Sequence, residues 1–190
     1  MSFKKSIFFI SIVIIVFITG ILFVNNFFSN EKKSLTLKEA YNLAISQISE
    51  EDVYLYTMTS ADIENMVDEE DGLNGQRRFW NLDFNKLNST EHYIFQIQDG
   101  KIMNFVQVPG IDVGAEKLIT LNELTVDSNN ALEIALNIYE LQAGTIWAIG
   151  HHFMLNKYDG NATLSVTGFD SEGNFKKVHI NLLDLTYVLE

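Results

Sequence analysis

Residues 7–24 read IFFISIVIIVFITGILFV, and only Ser11, Thr19 and Gly20 interrupt the apolar run. At about 1.5 Å per residue, such a stretch is near the lower limit for a helix crossing a hydrocarbon core of about 30 Å. Lys4, Lys5 and the N-terminal amine precede it. Lys32 and Lys33 follow, partly offset by Glu31. The bias places the N-terminus in the cytoplasm and the rest of the chain outside. Asn25-Asn26-Phe27-Phe28 occupies the place where a signal peptidase needs small residues. The reading is therefore a retained single-pass signal anchor over residues 1–30, with cleavage near residue 20 as the alternative.

This segment resolves a conflict in the composition. The 190-residue chain is 47% apolar yet carries a formal charge of −12. Lys4 and Lys5 are the only charged side chains among residues 1–30, so the other 160 residues hold 11 bases against 25 acids, net −14. That excess disfavours wrapping nucleic acid, which needs clustered Lys and Arg. With no cysteine, disulfides, thiolate metal sites, thiol catalysis and a lipidated cysteine are all excluded.

Beyond the anchor, Thr36-x-x-Glu39 has capping-box spacing. Leu37, Ala40, Tyr41, Ala44, Ile45 and Ile48 follow on one helical stripe. A second helix is expected over 128–142, with Ala131, Ile134, Ala135 and Ile138 on one face, Asp127 or Ser128 as its cap, and Gly144 as its stop. Strands are expected over 53–59, 77–85, 92–98, 101–108, 145–157, 162–169, 175–181 and 183–189. Asp99-Gly100 is a two-residue hairpin signal.

The order suggests duplication. Ala40-x-x-Leu43-Ala44 recurs as Ala131-x-x-Ile134-Ala135, and RRFWNLDF at 77–84 parallels HHFMLNKY at 151–158. The expected fold is α+β: a transmembrane helix, then two modules that each pack a helix on an antiparallel β-meander. The first spans 31–108 with an acidic insertion at 60–76, residues 109–123 form a linker, and the second spans 124–190.

Thr36-Leu-Lys-Glu-Ala-x-x-Leu-Ala44, FWNLDF at 79–84 and YIFQIQDGKI at 93–102 together resemble the PepSY domain. The resemblance is fuller over 35–108 than over 122–190, where Met154 stands in the place of Trp80. It implies tandem, non-catalytic extracytoplasmic modules of Gram-positive type, associated with restraining or assisting peptidases, and it brings no catalytic residues.

The insertion holds Asp62, Glu64, Asp68, Glu69, Glu70 and Asp71 with no base before Arg77. It lacks the alternating acids and distal Glu of an EF-hand loop. The alternatives are a solvated loop, a docking surface for a basic partner and, last, a specific calcium site, and the second makes Asp68, Glu69, Glu70 and Asp71 the candidate partner-binding residues. His151 and His152 are adjacent and point to opposite faces of a strand, so they do not make a metal pair. No metal, cofactor or catalytic residue is assigned, and neither a nucleophile-elbow nor a phosphate-loop motif is present. Any small-molecule ligand is left open. Trp80 alternates with Leu82 and Phe84 and is expected in the core, whereas Trp147 is open between core and module interface.

The expected function is that of a non-catalytic, membrane-anchored extracytoplasmic binding protein that regulates a cell-surface or secreted peptidase or another envelope enzyme. The alternatives are a structural subunit of a membrane complex and, last, a cell-wall-active enzyme.

Overall fold

The computed structural model describes residues 32–62, 71–145 and 148–190. The expected anchor therefore lies outside the described residues, as do Glu64, Asp68, Glu69, Glu70 and Trp147. Among the described residues, no helix is long and apolar enough to cross a membrane.

Helix α1 (Leu37–Ile45) starts at the expected capping box. The Thr36 hydroxyl accepts the Glu39 N–H at 3.3 Å, and the Glu39 carboxylate accepts the Thr36 N–H at 2.8 Å. Its stripe buries Leu37, Ala40, Tyr41 and Ala44. Strands β1 (Val53–Ser60), β2 (Phe79–Lys86), β3 (Glu91–Gln98) and β4 (Lys101–Pro109) follow. Helix α2 (Ser128–Tyr139) comes next, then β5 (His152–Tyr158), β6 (Asn161–Phe169), β7 (Phe175–Asn181) and the short β8 (Tyr187–Leu189).

Asp99 and Gly100 both take positive φ (52° and 71°), as a type I′ hairpin requires. Asp159-Gly160 repeats this geometry between β5 and β6, with φ of 49° and 80°.

The eight strands form one sheet in the order β4-β3-β2-β1-β5-β6-β7-β8, every neighbour antiparallel. This overturns the expected pair of separate helix-on-meander modules: β1 and β5 hydrogen-bond directly, and residues 32–190 form one compact unit. The physical reason is edge chemistry. Separate meanders would each leave β1 or β5 as a bare edge, whereas pairing them satisfies both. The expected strand over 145–157 starts only at His152, because Gln142 bridges to Phe169 and Gly144 to Gly150 ahead of it. Residues 109–123, expected as a linker, bury Val113, Leu118 and Ile119. Ile119 bridges Leu55, and Glu123 pairs with Lys157 at 2.7 Å.

The core runs continuously under both helices. Trp80, Leu82, Phe84, Tyr93 and Phe95 fill its first half. Phe153, Leu155, Leu164, Val166, Val178 and Ile180 fill the second. The side chains between these on each strand turn to the opposite face, where Asn81, Asp83, Gln96, Met154, Thr167 and His179 lie with neither helix over them.

Candidate functional site

The seam between β1 and β5 has a short backbone ladder. Only Met58 opposite Leu155 and Thr59 opposite Met154 are in register. Side chains close the rest. The Thr57 hydroxyl donates to the Leu155 carbonyl at 3.2 Å, and the Phe153 N–H donates to the Ser60 hydroxyl at 2.9 Å. The Ser60 oxygen lies 3.3 Å from His152 Nδ1, and His152 Nε2 lies 3.1 Å from an oxygen of Asp62. Asp62 also accepts the Ile149 N–H at 3.1 Å.

Behind this chain sits Arg77, whose side chain is 0% exposed. Its guanidinium pairs with Asp62 and approaches Asp71 at 3.7 Å. It also donates to the carbonyls of Ile149 at 2.7 Å, Asp71 at 3.2 Å and His151 at 3.4 Å. Gly150 makes this approach possible: its φ is +74°, and a Cβ there would stand 1.8 Å from the Asp71 carbonyl oxygen. A buried guanidinium with several acceptors is the arrangement that survives desolvation, because each missing partner would leave charge unpaired in a low dielectric.

Beside it, Arg78 binds Asp99 with both ends of its fork, at 2.6 and 3.2 Å. The Arg78 N–H donates to Asp71 at 3.1 Å.

The cluster sets its own protonation. Burial pushes the Asp62 carboxyl up, but His152, Arg77 and the Ile149 N–H outweigh it and hold Asp62 below the usual carboxylate range. Burial dominates at Asp71 and raises it despite Arg77. The His151 imidazole is lowered, first by burial and then by the neighbouring Arg77 charge, even though its Nε2 faces the Leu141 carbonyl at 3.3 Å.

On the open face, two recesses meet at Asp62. One, about 280 Å³, is lined by Asn81, Gln96, Gln98 and Met103 beside Phe79 and Trp80. The other, about 360 Å³, is lined by Ser60, His152, Ala148, Thr167 and Phe175. A larger recess of about 500 Å³ lies at the β8 edge around Tyr158, His179, Asn181 and Val188. There Ser165 bonds His179 Nδ1 at 2.8 Å, and Glu190 takes its Nε2 at 3.0 Å.

Ser60, His152 and Asp62 stand in hydroxyl–imidazole–carboxylate order, a sequence of groups used in acyl transfer. Here the groups are committed to the seam. The Ser60 oxygen accepts a backbone N–H, and Asp62 spends its charge on buried Arg77. The second such chain, at Ser165, spans two directly paired strand positions. Both are polar ties between strands.

Of the expected partner-binding residues, only Asp71 is described, and it is 4% exposed. It supports Arg77 and Arg78. Ser60, Asp62, Arg77 and His152 were not expected as a cluster. One signal pointed there: the alignment of 77–84 with 151–158 sets Arg77 against His151, and these positions touch. His151 and His152 do part, the first to Leu141 and the second to Asp62. Trp80 is in the core as expected, 1% exposed, with its indole N–H on the Leu35 carbonyl at 3.1 Å.

Comparison with known proteins gives a fold and no family. No family model matches the chain, and no curated protein matches it. Its fold is similar to a crystal structure of a putative lipoprotein from Clostridium difficile 630, with a TM-score of 0.55 at 14% identity. The match covers 86% of this chain and 95% of that one, and at this identity it speaks for the fold alone.

Proposed function

We propose that this chain is a membrane-tethered extracytoplasmic binding protein, without catalysis of its own, that engages a protein partner through the open face of its sheet. The observation that carries the reading is the pair of recesses meeting at Asp62. They are built on strands and held by a buried ion cluster, so the surface is preorganised. Amide side chains (Asn81, Gln96, Gln98) line one recess and hydroxyls with an imidazole line the other. These groups suit the backbone of an extended polypeptide segment. The apolar run at 7–24 supports a tether, and the clostridial putative lipoprotein of similar fold supports an envelope setting. This chain has no cysteine to carry a lipid, so the apolar run takes that role. The resemblance of 35–108 to PepSY modules directs the proposal to a surface or secreted peptidase, or another envelope enzyme, as the regulated partner.

The test is site-specific photo-crosslinking of the full chain in its native membrane. A photoreactive residue at Gln96 or Thr167 should give a discrete protein adduct, and one at Asn130 on α2 should not. Equal labelling at all three sites, or none, would sink the open-face reading. An adduct containing a peptidase supports the regulatory arm, and one containing an integral membrane protein replaces it with an assembly role.

A further inference from the structure

The two ends of the sheet differ. β8 offers three residues, Tyr187–Leu189, whereas β4 offers nine. Along β4, Met103 is 61% exposed, Phe105 45% and Val106 38%, and none of the described residues covers this edge. A long apolar edge is a template for another strand, and proteins blunt it with charge or proline. Here Lys101 and Pro109 stand at the two ends, and the residues between them carry neither.

We propose that β4 pairs antiparallel with β4 of a second copy about a two-fold axis near Phe105, joining two sheets into one. Three observations select a second copy. The first is length: pairing β4 with β8 of another molecule would leave most of β4 bare and build an open chain of copies. β4 with itself pairs the strand on both sides of Phe105, with the Met103 bulge repeated symmetrically in the two copies, and closes. Charge is the second. A domain of net −14 repels itself, so self-association needs a stretch without acids, and β4 has none. Antiparallel pairing places Lys101 beside Pro109 of the second copy, whose own neighbour across the β3 ladder is Glu91. Opposite charges then face each other at both ends, about two strand spacings apart, on the order of 10 Å. The third is aromatic continuity. Phe95 packs edge-on to Phe84, with centroids 5.8 Å apart, and stacks on Phe105 at 4.5 Å. This row of rings stops half-exposed at the edge, and a two-fold near Phe105 continues it into the second copy.

The absence of cysteine makes the register directly testable. Single-cysteine variants of the full chain at positions 103 to 107, and Asn130→Cys on α2, are oxidised in native membranes. The expected product is a covalent species of twice the chain mass, strongest for Phe105→Cys and falling away on both sides. Mixing Asn104→Cys with Val106→Cys should raise the yield above either alone, since those positions face each other across the axis. Light scattering of the detergent-solubilised chain should show a dimer that Val106→Lys converts to monomer with its circular dichroism spectrum unchanged. A monomer in the wild type overturns the proposal. So do equal cross-linking at Asn130, a yield without a maximum near 105, or adducts of any other mass.

Discussion

The seam at β1–β5 and the edge at β4 join strands by opposite means. The β3–β4 ladder runs from Glu91 opposite Pro109 to Gln98 opposite Lys101, interrupted by one bulge, and no ion pair is needed to hold its backbone pairing and the Phe95–Phe105 stack. At the seam two backbone positions pair, and a buried arginine, two aspartates, two histidines and a serine take over. The helix side of the molecule repeats the device. The N-termini of α1 and α2 meet at Asp127, whose carboxylate accepts the Lys38 N–H at 3.0 Å and the Ser128 N–H at 2.8 Å. One carboxylate thus faces two helix N-termini, where the partial positive charge of each dipole favours it. Ser128 adds a second tie, accepting the Leu37 N–H at 2.9 Å and donating to the Gly75 carbonyl at 2.5 Å. Side-chain charge supplements the shared core in joining the two halves, whereas long backbone ladders build each half.

The largest test of this contrast is Arg77→Ala. Removing the guanidinium leaves Asp62 and Asp71 without their shared cation, and breaking a buried pair costs about 3–5 kcal/mol. Denaturant titration should show that loss, with the seam opening first in hydrogen exchange at Ile149 and Phe153. A loss under about 1 kcal/mol would mean the seam does not depend on the cluster.

Asp71→Ala should cost less, about 1–3 kcal/mol, by stripping the Arg78 N–H and the second carboxylate from Arg77. Asp127→Ala comes next, at about 1–2 kcal/mol, because it uncaps α2 and takes an acceptor from the Lys38 N–H in the first turn of α1. Equal costs for Asp127→Ala and for an exposed α2 residue such as Glu133→Ala would remove the helix-side tie.

His151 supplies a pH test of the seam. Its imidazole resists protonation when folded, so the unfolded chain takes up a proton first as pH falls through the ordinary value of 6.5. The native state then loses stability, and above that value the effect is absent. His151→Gln removes the titration. The denaturation midpoint of the wild type should fall more than that of the variant between about pH 7.5 and 5.5. Parallel curves would contradict a buried neutral imidazole.

The smallest effect is expected at the edge. Phe105→Ala loses a half-exposed ring stacked on Phe95, worth about 0.5–1.5 kcal/mol, and should leave the seam amides as protected as before.

Local elements were legible in the sequence because their causes are local. Thr36 and Glu39 cap α1, Asp127 caps α2, and Asp99-Gly100 turns a hairpin because neighbours a few positions apart define each geometry. Trp80, Leu82 and Phe84 alternate, so period two alone sends them to the core. The cluster was not legible in the same way. Ser60 and His152 are 92 positions apart, and Asp71 reads as one acid among six in a loop until Arg77 is seen buried against it. Acid content alone cannot separate a solvated carboxylate from one that completes a buried ion pair.

By itself, then, the sequence determined the apolar run at 7–24, the acid excess beyond it, the two helix starts and the approximate places of the strands, though not where the fifth and eighth begin, at His152 and Tyr187. Each follows from composition or short-range periodicity. The tertiary structure alone decided that the strands form one sheet, that β1 and β5 share its centre, and that Asp71 faces inward. Those outcomes depend on which edges find each other across about ninety residues, and the pairing that leaves the fewest bare strand edges and unpaired buried charges prevails.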